Sequence, residues 1–216
     1  MRGRLGTACM LLGAVLILGA LSLLLYNRSE ASRADQAARE LLPQLQEQIR
    51  TSHEESSEPA AALPEVLNPS AYQMTEVELD GYAYIGYLSI PSLGLELPVM
   101  SEWDYERLKT APCRYTGSTK SNDLVLLAHN FARHFGTLKN LSPGDEIYFL
   151  DMDNVISHYR VVTVEILSST AMEEMIGGEY DLTLFTCTYG GENRVTVRCD
   201  RVNEKEARDA DETGGF

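Results

Sequence analysis

Residues 182–187 read LTLFTC and residues 194–202 read RVTVRCDRV. The second stretch alternates almost without fault. Val195, Val197 and Cys199 fall on one side of an extended chain, and Arg194, Thr196 and Arg198 on the other. The first is a short run of apolar and β-branched residues with no helical spacing. Gly190-Gly191 between them is a turn signal, so the pair reads as a hairpin that returns Arg194 beside Cys187. The same pattern extends upstream. Residues 124–128 (LVLLA) form a short apolar run suited to a central position, and residues 146–150 (EIYFL) and 157–166 read as strands. Residues 82–90 alternate as a half-buried strand does, and Pro143-Gly144-Asp145 marks another turn. Short helices are predicted at 104–110 and 135–141. Many short strands with few helices predict a mainly β fold, a closed β-barrel of about eight strands.

The N-terminal third differs. Residues 5–26 (LGTACMLLGAVLILGALSLLLY) carry no charge. As a helix they cover roughly 33 Å, enough for a bilayer core of about 30 Å. A cleaved signal peptide has a shorter apolar core and ends in small residues, whereas this run ends in Leu23, Leu24, Leu25 and Tyr26. Arg2 and Arg4 precede it, which predicts a single-pass anchor with a cytosolic N-terminus and the folded domain outside the cell membrane. The expected organisation is a cytosolic segment 1–4, an anchor 5–26, a partly helical stalk 27–75, a catalytic domain 76–205 and an acidic tail 206–216. Within the stalk, Leu41, Leu42, Leu45 and Ile49 share one helical face, with Pro43 starting or kinking the helix. Residues 51–69 read as a polar, acidic spacer. The helix reads as solvated stalk, or alternatively as a lid or dimerising element.

Charge removes whole classes of function. Lys+Arg number 18 and Asp+Glu 32, a net charge of -14. A nucleic-acid binder needs a basic face, and a peripheral protein held on anionic lipid needs basic residues, so neither fits. Cys9, Cys113, Cys187 and Cys199 lie far apart. They lack the C-x-x-C spacing of a zinc site and are too sparse for a disulfide scaffold, although Cys113 and Cys199 could pair outside the cell. Asp151-Met152-Asp153 places two carboxylates in one turn, which reads as a polar turn before it reads as a calcium site. No metal or other cofactor is expected.

The chemistry concentrates at strand ends. His129 ends the run LVLLA and is followed by Asn130; Cys187 ends LTLFT. A thiol and an imidazole at the ends of two core strands supply a nucleophile and its acid/base. Arg194 stays protonated and offers several N–H donors to an oxygen gaining charge. Arg198 shares its strand face four residues on; Arg194 is favoured because it stands nearer the rim and Cys187. His53 falls in the acidic spacer, and His158 sits in a strand with no evident partner. G-x-S-x-G, H-E-x-x-H and P-loop motifs are absent.

Five segments in order resemble the bacterial sortases. They are YIGYLSIPSLGLELPV at 84–99, LLAHN at 126–130, FGTLKNLSPGDEIYF at 135–149, TLFTC at 183–187 and the RVTVRC strand. The resemblance covers residues 80–202. It implies a closed sortase-type barrel and a membrane-anchored cysteine transpeptidase of Gram-positive surfaces. Such an enzyme cleaves an LPXTG-like sorting signal, holds the surface protein as a thioacyl-enzyme and transfers it to an amine of a cell-wall precursor or a pilin lysine. It further implies Cys187 as nucleophile, His129 as acid/base, Arg194 as the oxyanion or positioning cation, and Thr186 and Asn130 in the substrate pocket. Pilus-building members carry an Asp-Pro-aromatic lid motif; the nearest segment here is Asn68-Pro69-Ser70, which favours wall anchoring over pilus polymerisation. Two alternatives remain open, an inactive sortase-like peptide-binding domain and a thiol hydrolase that uses water as acceptor.

Overall fold

The computed structural model describes residues 2–55, 72–177 and 179–202. Helix α1 (Arg2–Glu55) is followed by strands β1 (Val77–Leu79), β2 (Tyr82–Ile90), β3 (Leu95–Met100), β4 (Cys113–Thr116) and β5 (Leu124–Leu127). Strands β6 (Glu146–Asp151) and β7 (Ile156–Ser168), helix α2 (Met172–Ile176), and strands β8 (Leu182–Cys187) and β9 (Asn193–Arg201) complete the chain. The sheet order is β1-β2-β3-β4-β5-β8-β9-β7-β6, and β2 also pairs with β6. That last pairing closes eight strands into a barrel, with β1 added at its margin, in agreement with the fold expected from the sequence.

Closure depends on Gly86. The residue sits at a bulge in β2 with φ of 143°, opposite Asp151 of β6. A Cβ there would lie 2.1 Å from the Leu150 carbonyl oxygen, so only glycine lets the two backbones meet.

Alternation sorts each strand between two apolar clusters. Leu124, Leu126, Leu182, Leu184, Val195, Val197 and Cys199 fill the barrel with Phe135, Phe149 and Tyr159. Val125, Leu127 and Phe185 point outward into a second cluster with Tyr84, Met100, Leu108, Cys113 and Met175. The unbroken run LVLLA follows from this arrangement, because both faces of β5 are covered.

Part of that cover is α1. Ala34, Ala38, Leu41, Leu45 and Ile49 are buried, and Leu41, Leu45 and Ile49 join the outer cluster. Burying each of those three large side chains is worth roughly 1.5–3 kcal/mol. The stripe expected to be solvated stalk is therefore docked on the domain. The helix also runs through Pro43 and on to Glu55, into residues expected to be spacer. Asn68-Pro69-Ser70 and the acidic tail lie outside the described residues. Among the described residues one helix, Cys9–Ser52, is long and apolar enough to cross a membrane by length and composition.

The four cysteines are free, which corrects the possible Cys113–Cys199 pairing: Cys113 lies in the outer cluster and Cys199 inside the barrel. Asp151 Oδ1 accepts from the Asp153 and Val155 amides, while Asp153 takes the Thr75 hydroxyl and the Lys120 ammonium. Both carboxylates are thus engaged, Asp151 within the turn and Asp153 with residues outside it. His158 does have partners: its ring stacks on Tyr148 at 4.5 Å, and Nε2 lies 3.5 Å from Glu146 Oε1.

Candidate active site

The site is built by three adjacent strands. β5 and β8 run parallel, with Leu127 opposite Phe185. Both side chains face outward, and beyond them His129 and Cys187 line one cavity on the same outer side. Neighbouring strands lie about 4.8 Å apart. On the other side of β8, Cys187 is the direct cross-strand partner of Arg194 in β9. Cys187 is thereby flanked by imidazole and guanidinium on the outside of the barrel wall. Thr186 faces the opposite way, is buried, and donates its hydroxyl to the Ala128 carbonyl at 2.7 Å. This bond ties β8 to β5 where their ladder ends, one residue before His129.

Two cavities meet at Cys187. One, of about 180 Å³, is lined by His129, Cys187 and Arg194, with Trp103, Tyr115 and Met172 among its walls. The other, of about 510 Å³, is lined by Asn130, Gly136, Ile166, Thr186, Cys187 and Tyr189. Cys187 is common to the linings of both.

Burial separates Cys187 from Cys113 and Cys199. Burial pushes the Cys113 thiol up to about 12 and raises Cys199 further still. Neither forms a thiolate near neutral pH, whereas Cys187 is only partly buried. Burial lowers the His129 imidazole below its ordinary value, and the Lys109 ammonium adds to the effect. A neutral imidazole therefore predominates at neutral pH, ready to take a proton.

The two arginines divide by environment. Arg194 Nη1 donates to the Gly191 and Asn193 carbonyls at 2.9 and 3.1 Å, which hold the side chain against the turn. Its Nε and Nη2 have no partner among the described residues, so donors remain for a ligand. Arg198 is buried and engaged at all three of its nitrogens. Nε meets Glu165 at 2.8 Å, Nη1 donates to the Met175 carbonyl and Thr183 Oγ1, and Nη2 donates to the Glu174 carbonyl. Opposite Thr183 rather than Cys187, it pins α2 to the barrel.

Of the residues singled out from sequence, the structure gathers His129, Thr186, Cys187 and Arg194 in one cavity and puts Asn130 with Thr186 and Cys187 in the other. Sequence reasoning missed the aromatic wall of Trp103, Tyr105 and Tyr115 and the cation Lys109. The available signal was WDY at 103–105, an aromatic pair in a polar connection that no strand or helix period explains.

A sortase domain family model matches residues 88–202. Sortase A of Bacillus anthracis is 29% identical over 149 residues, 63% of this chain and 69% of that protein. Two solved structures show the fold. A Sortase D5 transpeptidase of Clostridium perfringens is 16% identical with a TM-score of 0.55, covering 80% of this chain and 99% of that chain. Sortase C-3 of Streptococcus pneumoniae is 22% identical with a TM-score of 0.52, covering 84% of this chain and 97% of that one.

Proposed function

The chain belongs to the sortase family and is a cysteine transpeptidase, and from that premise we propose that Cys187, His129 and Arg194 carry the reaction. The Cys187 sulfur attacks the carbonyl carbon of the scissile peptide bond in an LPXTG-like sorting signal. His129, neutral at rest, takes the Cys187 thiol proton as the sulfur–carbon bond forms and delivers that proton to the leaving amine as the carbon–nitrogen bond breaks. The carbonyl oxygen gains charge in between, and the free donors of Arg194 meet it. An incoming amine, from a cell-wall precursor or a pilin lysine, then loses its proton to His129 as its nitrogen bonds to the acyl carbon; the carbon–sulfur bond breaks and His129 returns the proton to the Cys187 sulfur. Thr186 acts by position, keeping β5 and β8 in register at the thiol, and Asn130 lines the cavity through which the second substrate enters. α1 holds the enzyme in the cell membrane, N-terminus inside and barrel outside. Wall anchoring is favoured over pilus assembly.

One observation carries this reading: the cross-strand pairing of Cys187 with Arg194, with His129 in the same cavity. The test is a panel of sorting-signal peptides incubated with the protein, with and without an added amine. Cleavage with amine transfer is expected. Cleavage without transfer identifies a hydrolase, and no cleavage of any peptide identifies a binding domain.

A further inference from the structure

Helix α1 is continuous from Arg2 to Glu55, so the apolar run ending at Tyr26 and the stripe docked on the barrel belong to one rigid element. Tyr26 and Ala34, the first buried position of that stripe, are only eight positions apart. At 1.5 Å per residue this is about 12 Å. The barrel therefore begins close to where the apolar run ends, with no slack between them.

The end of the barrel that faces this short gap is the active-site end. Arg133, in the loop that follows His129, reaches Asp35 of α1 at 3.7 Å. Glu30 and Tyr26 are near enough to act on the Lys109 ammonium, and Lys109 in turn acts on His129. Lys109 is joined to Glu106 at 2.7 Å, which ties the Trp103–Lys109 segment to the same level. That segment exposes Trp103 (40%) and Tyr105 (74%), and Met172 (39%) stands beside them at the mouth of the cavity that holds Cys187. Amphipathic rings of this kind settle at the headgroup level of a bilayer. The net charge of -14 gives no attraction to an anionic surface, so such a contact has to be imposed by the helix and completed by the aromatic residues.

We propose that the mouth of the Cys187 cavity is held against the outer surface of the bilayer that α1 crosses, with Trp103 and Tyr105 at the lipid headgroups. The inference rests on the anchor reading above. Its consequence is that the enzyme works at the interface itself and takes substrates presented at the membrane, rather than peptides far out in solution.

Trp103 is the one tryptophan of the chain, so intrinsic fluorescence reports its position directly. The full chain is reconstituted in phosphatidylcholine vesicles that carry a nitroxide either on the headgroup or at the centre of the acyl chain. Headgroup nitroxide is expected to remove about half or more of the emission, and chain-centre nitroxide much less. A second variant inserts seven helix-forming residues after Asn27. It lifts the barrel by about 10 Å and turns it by only about 20°. In this variant the headgroup quenching is expected to vanish. Vesicle flotation separates the two readings. A chain that fails to float refutes the anchor and with it the proposal. A chain that floats while Trp103 is quenched by aqueous iodide and not by lipid nitroxide overturns the proposal alone. Headgroup quenching that survives the insertion also overturns it, since the helix would not be setting the contact.

Discussion

His134 is fully buried, and neither of its ring nitrogens has a hydrogen-bond partner among the described residues. The Phe131 ring lies 5.7 Å away. Burial lowers its pKa to about 4; the neighbouring His129 pushes the same way, and Asp35 of α1 opposes. The folded value lies below the unfolded value of 6.5, so between the two the unfolded chain binds the extra proton. Stability is then whole above pH 6.5 and falls as pH drops toward 4. The span of about 2.5 pH units, at 1.36 kcal/mol each, amounts to as much as about 3 kcal/mol. His134→Phe keeps a ring of similar size and removes the titration. Urea unfolding of both proteins in mild detergent at pH 7.5 and pH 4.5 gives the comparison. The wild type is expected to lose about 2–3 kcal/mol more than the variant between the two pH values. Other carboxylates and histidines cancel in that difference. Equal losses in the two proteins would refute the reasoning and mean that His134 takes up a proton without leaving its site.

The remaining perturbations probe the walls of the site. Arg194→Lys keeps the charge but loses the planar fork, so kcat/KM is expected to fall about 100- to 1,000-fold with the thermal melt unchanged. Arg198→Lys is expected to do the reverse, costing about 1–3 kcal/mol of stability by leaving the Met175 and Glu174 carbonyls and Thr183 Oγ1 short of donors while activity of the folded fraction holds. Gly136→Ala would place a Cβ 2.4 Å from the Asn130 carbonyl oxygen. It should displace the His129–Asn130 backbone and lower kcat/KM without exposing the core, measured by steady-state kinetics and near-UV circular dichroism. Thr186→Val removes the hydroxyl that satisfies the Ala128 carbonyl and should cost about 1–3 kcal/mol in urea unfolding.

The barrel was legible because its strands alternate where one face meets the interior and run apolar where both faces are covered. RVTVRC and LVLLA show the two cases. The grouping of the candidate residues was legible because His129 and Cys187 follow or end core strands, and because a Gly-Gly hairpin returns Arg194 to Cys187. The ambiguity between Arg194 and Arg198 was real in the sequence, since both share one strand face. Only the register, with Thr183 opposite Arg198 and Cys187 opposite Arg194, separates them. The docking of α1 was harder to read. Its stripe of Ala34, Ala38, Leu41, Leu45 and Ile49 is narrow, and two of the five are alanines whose importance is close approach rather than area. The aromatic wall was invisible for a related reason: Trp103, Tyr105 and Tyr115 come together through loop geometry, and no local period encodes that.

The most direct test of the account is intact mass spectrometry of the protein mixed with a cleavable sorting-signal peptide in the absence of amine. An adduct of the N-terminal peptide fragment is expected on Cys187, located by proteolytic mapping. The adduct should be discharged by added amine and absent from Cys187→Ala. An adduct on Cys113 or Cys199, or peptide turnover by Cys187→Ala, would contradict it.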